Sequence, residues 1–138
     1  MKKVLFLCVG NSCRSQMAEG LLRYSGEDGF QVFSAGVMPI GVNSLAIKVM
    51  DEVGVNIVSQ SSKSVKEFLG QQFDYVITLC DDVKEVCPVF PGECRRLHWN
   101  LDDPAKTNGS GGERITVFRR IRDQIKSHIE LFLKEDRT

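Results

Sequence analysis

Val4-Leu5-Phe6-Leu7-Cys8-Val9-Gly10-Asn11-Ser12-Cys13-Arg14-Ser15 is the stretch that organises the rest of the chain. It opens as a continuous apolar run and turns abruptly into a small polar loop. A short apolar run closed by Gly and Asn reads as a fully buried strand, spanning 3–9. From Ser15 an amphipathic pattern covers 15–25, with Met17, Leu21 and Leu22 on one face, and predicts a helix. Strand, loop and helix in that order are the repeating unit of a parallel sheet.

The alternation continues outward. Residues 30–34 form a short alternating strand that ends at Ala35-Gly36, and 43–53 a helical pattern through Leu45, Val49, Met50 and Val53, stopped by Gly54. A short helix is expected over 62–70, a second core strand over 73–79, and a short strand over 94–98 leading to Trp99. Residues 104–112 are a loop by composition. The last helix, 113–134, carries Ile115, Phe118, Ile121, Ile125, Ile129 and Phe132 as one apolar stripe. The expected fold is one domain over 1–138 of class α/β: a three-layer α/β/α arrangement around a central, mainly parallel four-stranded sheet.

Bulk properties remove several function classes. The 18 basic and 18 acidic residues leave a formal net charge of zero, which argues against nucleic acid as a partner because phosphate backbones require a basic face. Met1-Lys2-Lys3 before an apolar run resembles the start of a signal sequence. The run, however, stops at Gly10 without a small-residue cleavage site, and is far too short to cross a bilayer. A cytoplasmic protein that does not engage membranes is expected. The odd number of cysteines, Cys8, Cys13, Cys80, Cys87 and Cys94, suggests reactive or buried thiols rather than a disulfide framework.

Chemistry concentrates at Cys8. In open α/β sheets ligands sit beyond the carboxyl ends of the strands, where Cys8 lies. The loop after it feeds a helix N-terminus, whose free N–H groups and positive dipole favour a tetrahedral oxyanion. Val9, Gly10, Asn11, Ser12, Cys13 and Arg14 are therefore the candidate anion cradle. Gly10 and Asn11 tolerate unusual φ values, and Arg14 supplies a bidentate fork. The same field favours the thiolate of Cys8, the nucleophilic form, and Ser15 is placed to donate a hydrogen bond to it. A Cys-x5-Arg spacing alone is a weak signal; its position between a buried strand and an amphipathic helix is what gives it force. A proton donor for the departing oxygen is also needed; the Asp102-Asp103-Pro104 stretch is the best candidate, with Pro104 holding Asp103 in a set direction, although an Asp-Pro pair by itself is ordinarily a turn.

Residues 8–20, Cys8-Val9-Gly10-Asn11-Ser12-Cys13-Arg14-Ser15-Gln16-Met17-Ala18-Glu19-Gly20, resemble the signature of the low-molecular-weight tyrosine phosphatase superfamily, and the Gln-Met-Ala-Glu-Gly continuation resembles its thioredoxin-coupled arsenate reductase branch. The resemblance extends through Ser34-Ala35-Gly36, Val76-Ile77-Thr78-Leu79-Cys80, Cys87-Pro88, His98-Trp99 and Asp102-Asp103-Pro104. It implies an oxidoreductase serving arsenical resistance. Cys8 attacks arsenate, Asp103 protonates the leaving oxygen, Cys80 forms a disulfide with Cys8, and Cys87 then takes Cys80 into a redox-active disulfide that thioredoxin reduces. It also implies a monomer with no cofactor, and residual phosphatase activity from the shared loop. The alternative is a low-molecular-weight protein tyrosine phosphatase using Cys8, Arg14 and Asp103. Phosphatase members place aromatic residues after the Asp-Pro, whereas this chain has Ala105-Lys106-Thr107.

Three details qualify the resemblance. Were 80–87 helical, the two Cα atoms would lie ~10.5 Å apart at 1.5 Å per residue, beyond the about 7 Å a disulfide allows. A short helix that loops out on oxidation is therefore expected. Some reductases of this branch bind potassium through Asn, Glu, Ser and a later Asp. Asn11, Glu19 and Ser34 match a vestigial site, but Lys63 stands at the last position, so no potassium requirement is expected. Cys80, Cys87 and Cys94 lack the short Cys-x2–4-Cys spacing of zinc sites, so no metal is expected. Cys13 is assigned to packing, facing away from the anion; Cys94 has no role. His98 and Trp99 are expected to wall the acid loop, and His128 to be a surface or packing residue.

Overall fold

The computed structural model describes residues 1–26, 29–80 and 87–136. Four strands, β1 (Lys2–Cys8), β2 (Phe30–Gly36), β3 (Tyr75–Thr78) and β4 (Arg95–His98), form one sheet in the order β2-β1-β3-β4. All three pairings are parallel, so the sheet is wholly rather than mainly parallel. Sheet order puts β1 and β3 in the middle. Their residues Val4 to Leu7 and Tyr75 to Thr78 are buried, as the continuous apolar runs require. β4 is an edge, and both of its arginines are exposed.

Helices α1 (Arg14–Ser25), α2 (Ser44–Asp51) and α3 (Gly111–Asp136) pack together, with α1 lying against β1 and β2. The α3 stripe predicted from sequence is the buried one, Phe118, Ile121, Ile125, Ile129 and Phe132. Phe6 of β1 reaches this layer through Trp99, whose ring centroid lies 5.7 Å away. The other sheet face is covered by aromatics: Phe33 of β2 meets Phe68 at 5.7 Å and Phe73 at 5.8 Å, and Phe90 closes on Phe73 at 5.4 Å. Alternation along the strand sends Phe6 and Phe33 to opposite faces, because Phe33 is the register partner of Leu5.

Element ends differ from the sequence expectations for local reasons. β2 runs on to Gly36, which pairs with Cys8. Residues 62–70 make only a 3₁₀ turn, Val65–Phe68, opened by a Ser64/Glu67 capping box. The 104–112 loop contains a second 3₁₀ turn, Pro104–Lys106, and α3 begins two residues early. Ser110 explains the early start. Its hydroxyl accepts from Glu113 N at 3.2 Å and its carbonyl from Arg114 N at 3.0 Å, so Gly111 and Gly112 lie in the first turn despite their low propensity. The helix expected after Cys80 falls on 81–86, outside the described residues.

Candidate active site

β1 delivers Cys8 to the carboxyl edge of the sheet, and residues 9–13 carry the chain to the start of α1. Every carbonyl of that loop is bonded to the surrounding protein. Val9 O accepts from Met38 N at 2.9 Å, Gly10 O from Ile40 N at 3.0 Å, Ser12 O from Asn43 N at 3.0 Å and Cys13 O from Met17 N at 2.9 Å. Asn11 O takes the Gln16 side chain at 3.0 Å. In a trans peptide the next N–H points opposite to the carbonyl, and there are no cis bonds among the described residues. The N–H groups of Gly10, Asn11, Ser12, Cys13 and Arg14 therefore face the cavity side of the loop, forming a nest for an anion.

Asn11 is the one non-glycine residue with positive φ among the described residues, at 47°, and Gly10 does not share that conformation. At Gly10 a Cβ would come within 3.0 Å of Ile40 Cγ1, an exposed side chain that would have to shift slightly. Gly36 is needed for space: a Cβ would lie 2.6 Å from Val9 O and 2.8 Å from Asn11 N. The Asn11 side chain turns away from the cavity and ties the loop down. It accepts from Lys63 N at 2.7 Å, and donates to Ser15 Oγ at 2.8 Å and Ser34 Oγ at 2.9 Å. Ser15 Oγ, already an acceptor for Asn11, keeps its own hydrogen for Cys8 Sγ, 2.8 Å away. That bond stabilises negative charge on the sulfur.

Arg14 is 7% exposed. Its Nη1 donates to Leu101 O at 3.0 Å and its Nη2 lies 3.6 Å from Asp103 Oδ2. Its Nε is buried and without a partner, a donor held ready for an incoming oxygen. Asp103 caps the Pro104–Lys106 turn, accepting from Ala105 N at 3.0 Å, which fixes its carboxylate at the mouth. Cys8, Val9, Gly10, Ser12, Cys13, Arg14 and Asp103 all line one cavity of about 220 Å³, joined by Met38, Ile40, Asn43 and Ala105.

Cys13 belongs to the loop that bounds this cavity, and its side chain is buried with the core. It is no competing nucleophile, since burial pushes its thiol up to about 12. Some expectations require correction. His98 and Trp99 do not line the cavity. Trp99 turns into the core and stacks on His128, ring centroids 4.9 Å apart, which makes His128 a packing residue. His98 Nδ1 pairs with Thr78 Oγ1 at 2.7 Å above the β3–β4 edge. Met38, Ile40 and Asn43 had no sequence signal, because the hydrogen bonds that bring their loop over the anion are backbone bonds.

All five cysteines are free thiols. Cys80 is buried at the carboxyl end of β3, and β3 is the direct neighbour of β1, with Thr78 opposite Leu7. Leu79 N extends that pairing by donating to Leu7 O at 3.0 Å, so Cys80 lies at the same sheet edge as Cys8. Cys87 is half-buried beside β4 and lines a separate cavity. Glu19, Ser34, Asn11 and Lys63 do come together. Ser34 Oγ donates to Glu19 Oε1 at 2.5 Å, and Lys63 Nζ lies 3.7 Å from the same oxygen.

A cysteine at the end of a parallel strand, seated in an inward nest of N–H groups with an arginine fork and an aspartate at the mouth, defines an enzyme that attacks tetrahedral oxyanions through sulfur. The chain belongs to the low molecular weight phosphotyrosine protein phosphatase family, whose sequence profile matches residues 3–137. It is 47% identical over 132 residues to an arsenate reductase of Halalkalibacterium halodurans, covering 95% of this chain and 94% of that protein. It superimposes on a solved arsenate reductase in a phosphate-binding state with a TM-score of 0.79 and 37% identity, covering 98% of both chains. A thioredoxin-dependent arsenate reductase of Corynebacterium glutamicum matches with a TM-score of 0.65 and 36% identity, over 95% of this chain and 63% of that one.

Proposed function

We propose that this chain reduces arsenate to arsenite, with Cys8 as nucleophile and Cys80 and Cys87 as a disulfide relay recycled by thioredoxin. The observation that carries the reading is the placement of a second buried thiol, Cys80, on the strand next to Cys8 at the same sheet edge. A phosphatase needs no such group. The arsenate reductase relatives support the substrate, and the thioredoxin-dependent relative supports the reductant.

The Cys8 thiolate attacks arsenic while the five N–H groups and the Arg14 fork hold the oxygens, and Asp103 gives its proton to the departing oxygen. The Cys80 thiolate then attacks Cys8 Sγ. The sulfur–arsenic bond breaks, its electron pair stays on arsenic, and arsenite leaves behind a Cys8–Cys80 disulfide. Cys87 attacks Cys80, freeing Cys8 and forming Cys80–Cys87, which thioredoxin reduces. Among the described residues the cavity lining has no aromatic side chain to stack on a tyrosyl ring, which disfavours the phosphotyrosine alternative. The Lys63 ammonium beside Glu19 takes the electrostatic role of a bound potassium ion, so activity is independent of potassium. Replacing sodium by potassium should leave kcat/KM unchanged.

The deciding experiment is single-turnover arsenite release by the reduced protein, with thiols counted before and after, in the unmodified chain, Cys80→Ser and Cys87→Ser. Two thiols should be lost per arsenite, and Cys80→Ser should release none. Cys87→Ser should turn over once and then resist thioredoxin. Hydrolysis of p-nitrophenyl phosphate in all three proteins, with no arsenite formed, would establish a phosphatase instead.

A further inference from the structure

Cys87 is held by an arginine from the edge strand. Arg96 Nη1 donates to Cys87 Sγ at 3.0 Å, and Nη2 of the same guanidinium donates to Pro88 O at 2.8 Å. One planar fork thus grips a thiol and the adjoining carbonyl. The Cys87 thiol also reaches Pro88 O at 3.7 Å, within range for a sulfur donor, and the two lone pairs of that carbonyl serve both the thiol and Nη2. The sulfur thus sits between a cationic donor and a carbonyl that the same guanidinium holds in place. The β3–β4 register places Arg96 opposite Val76 and His98 opposite Thr78. These four side chains, with Leu97 and Cys87, line a cavity of about 280 Å³. Within this cavity Arg96 is a cation in direct hydrogen-bond contact with Cys87.

We propose that Arg96 is a positioning residue for the resolving step, holding the Cys87 sulfur in its fork, stabilising the negative charge on that sulfur as it attacks, and releasing it once it becomes part of a neutral disulfide. The inference rests on the reading of Cys87 as the resolving thiol. In that step the Cys87 thiolate attacks Cys80 Sγ of the Cys8–Cys80 disulfide. The Cys80–Cys87 bond forms as Cys8–Cys80 breaks, and Cys8 departs with the electron pair. No external oxidant or reductant is consumed. The negative charge moves from the guanidinium of Arg96 to the anion nest around Cys8, where Ser15 and the loop N–H groups receive it. Arg96 then faces a neutral sulfur and has lost the charged half of its grip. Because Arg96 is exposed, that grip is modest and breaks readily in each cycle.

The test uses the full chain as Arg96→Met and Arg96→Lys. Each is given one equivalent of arsenate, quenched with acid, alkylated and mapped for the Cys80–Cys87 disulfide. In parallel, iodoacetamide labelling of Cys87 is timed in the reduced proteins, with added N-acetylcysteine as reference. Arg96→Met should slow both disulfide formation and Cys87 labelling about tenfold, the scale of a partly solvated hydrogen bond to a charged group. Arg96→Lys should recover most of both rates, which a purely structural role would not produce. Unchanged Arg96→Met rates, or equal slowing in both variants, would overturn the proposal. Normal recycling of Cys87→Ser by thioredoxin would overturn the relay itself, while the labelling comparison would still report on Arg96.

Discussion

Cys8 and Cys87 are the first and last thiols of the proposed relay, and the protein holds them in opposite ways. Cys8 is 2% exposed, in a loop whose five carbonyls are all bonded and whose one strained residue, Asn11, is tied by three side-chain hydrogen bonds. Cys87 is half-buried beside an edge strand, gripped by one exposed arginine. A tetrahedral anion must meet several donors within a few tenths of an ångström, so its site has to be built before it arrives. A thiol that must travel to a disulfide and then meet another protein gains nothing from such rigidity. The contrast predicts that substitutions around Cys8 cost both chemistry and stability, whereas those around Cys87 cost rate alone.

The largest effect should come from Arg14→Lys. Lysine keeps the charge but loses the planar fork, including the unpaired Nε and the bond to Leu101 O. Single-turnover arsenite release should fall about 10³-fold, in line with loss of a preorganised oxyanion donor. Asp103→Asn should preserve the turn that Asp103 caps while removing the proton. Release should fall by roughly 10², with little change in arsenate binding. An unaffected rate would move the acid elsewhere and weaken the case that this end of the relay is preorganised.

Asn11→Ala sharpens the comparison through stability. It deletes bonds to Lys63 N, Ser15 and Ser34, and puts a residue poorly suited to positive φ at 47°. A loss of about 2 kcal/mol in urea unfolding is expected, along with slower arsenite release. The Arg96→Met variant, altering an exposed side chain, should stay within about 0.5 kcal/mol of the parent. Equal destabilisation by the two would erase the distinction between a built site and a loose one.

The same difference decides what could be read from the sequence. Cys8 and Arg14 were legible because a buried strand, a tight loop and a helix N-terminus are contiguous, so local rules suffice. Asp103 was legible by resemblance. An Asp-Pro pair is ordinarily a turn, and here it is a turn as well, with Asp103 capping Pro104–Lys106 while facing Arg14. Gly111 and Gly112 misled because a capping serine outweighed their propensity. Arg96 gave no signal, since its partner Cys87 lies nine residues away in an irregular segment. The Met38 and Ile40 rim was hidden for a similar reason: it is set by backbone bonds to the anion loop.

The smallest effect tests whether Trp99, expected near the site but found in the core, and the His128 ring it stacks on are uncoupled from it. Burial lowers the pKa of His128 from its ordinary value of 6.5. A group whose folded pKa is depressed contributes its full stability above the unfolded value and loses it as pH falls through the folded one. The folded state should therefore weaken as the pH falls through and below 6.5, the ordinary value, because the unfolded chain takes up the proton first. The surface pocket beside His128 is lined by Asn100, Leu101, Gln124, Ser127 and Leu131, none of them ionisable. Glu52, held down to about 2 by its hydrogen bond from Arg119, titrates below this window. His128→Phe keeps a flat partner for Trp99 and removes the titration, so its unfolding midpoint should vary less with pH across that range. If the variant and the parent follow the same slope, the pH response belongs to groups elsewhere. If arsenite release also changes, the packing behind Trp99 reaches the acid loop after all, through Leu101, whose carbonyl holds Arg14.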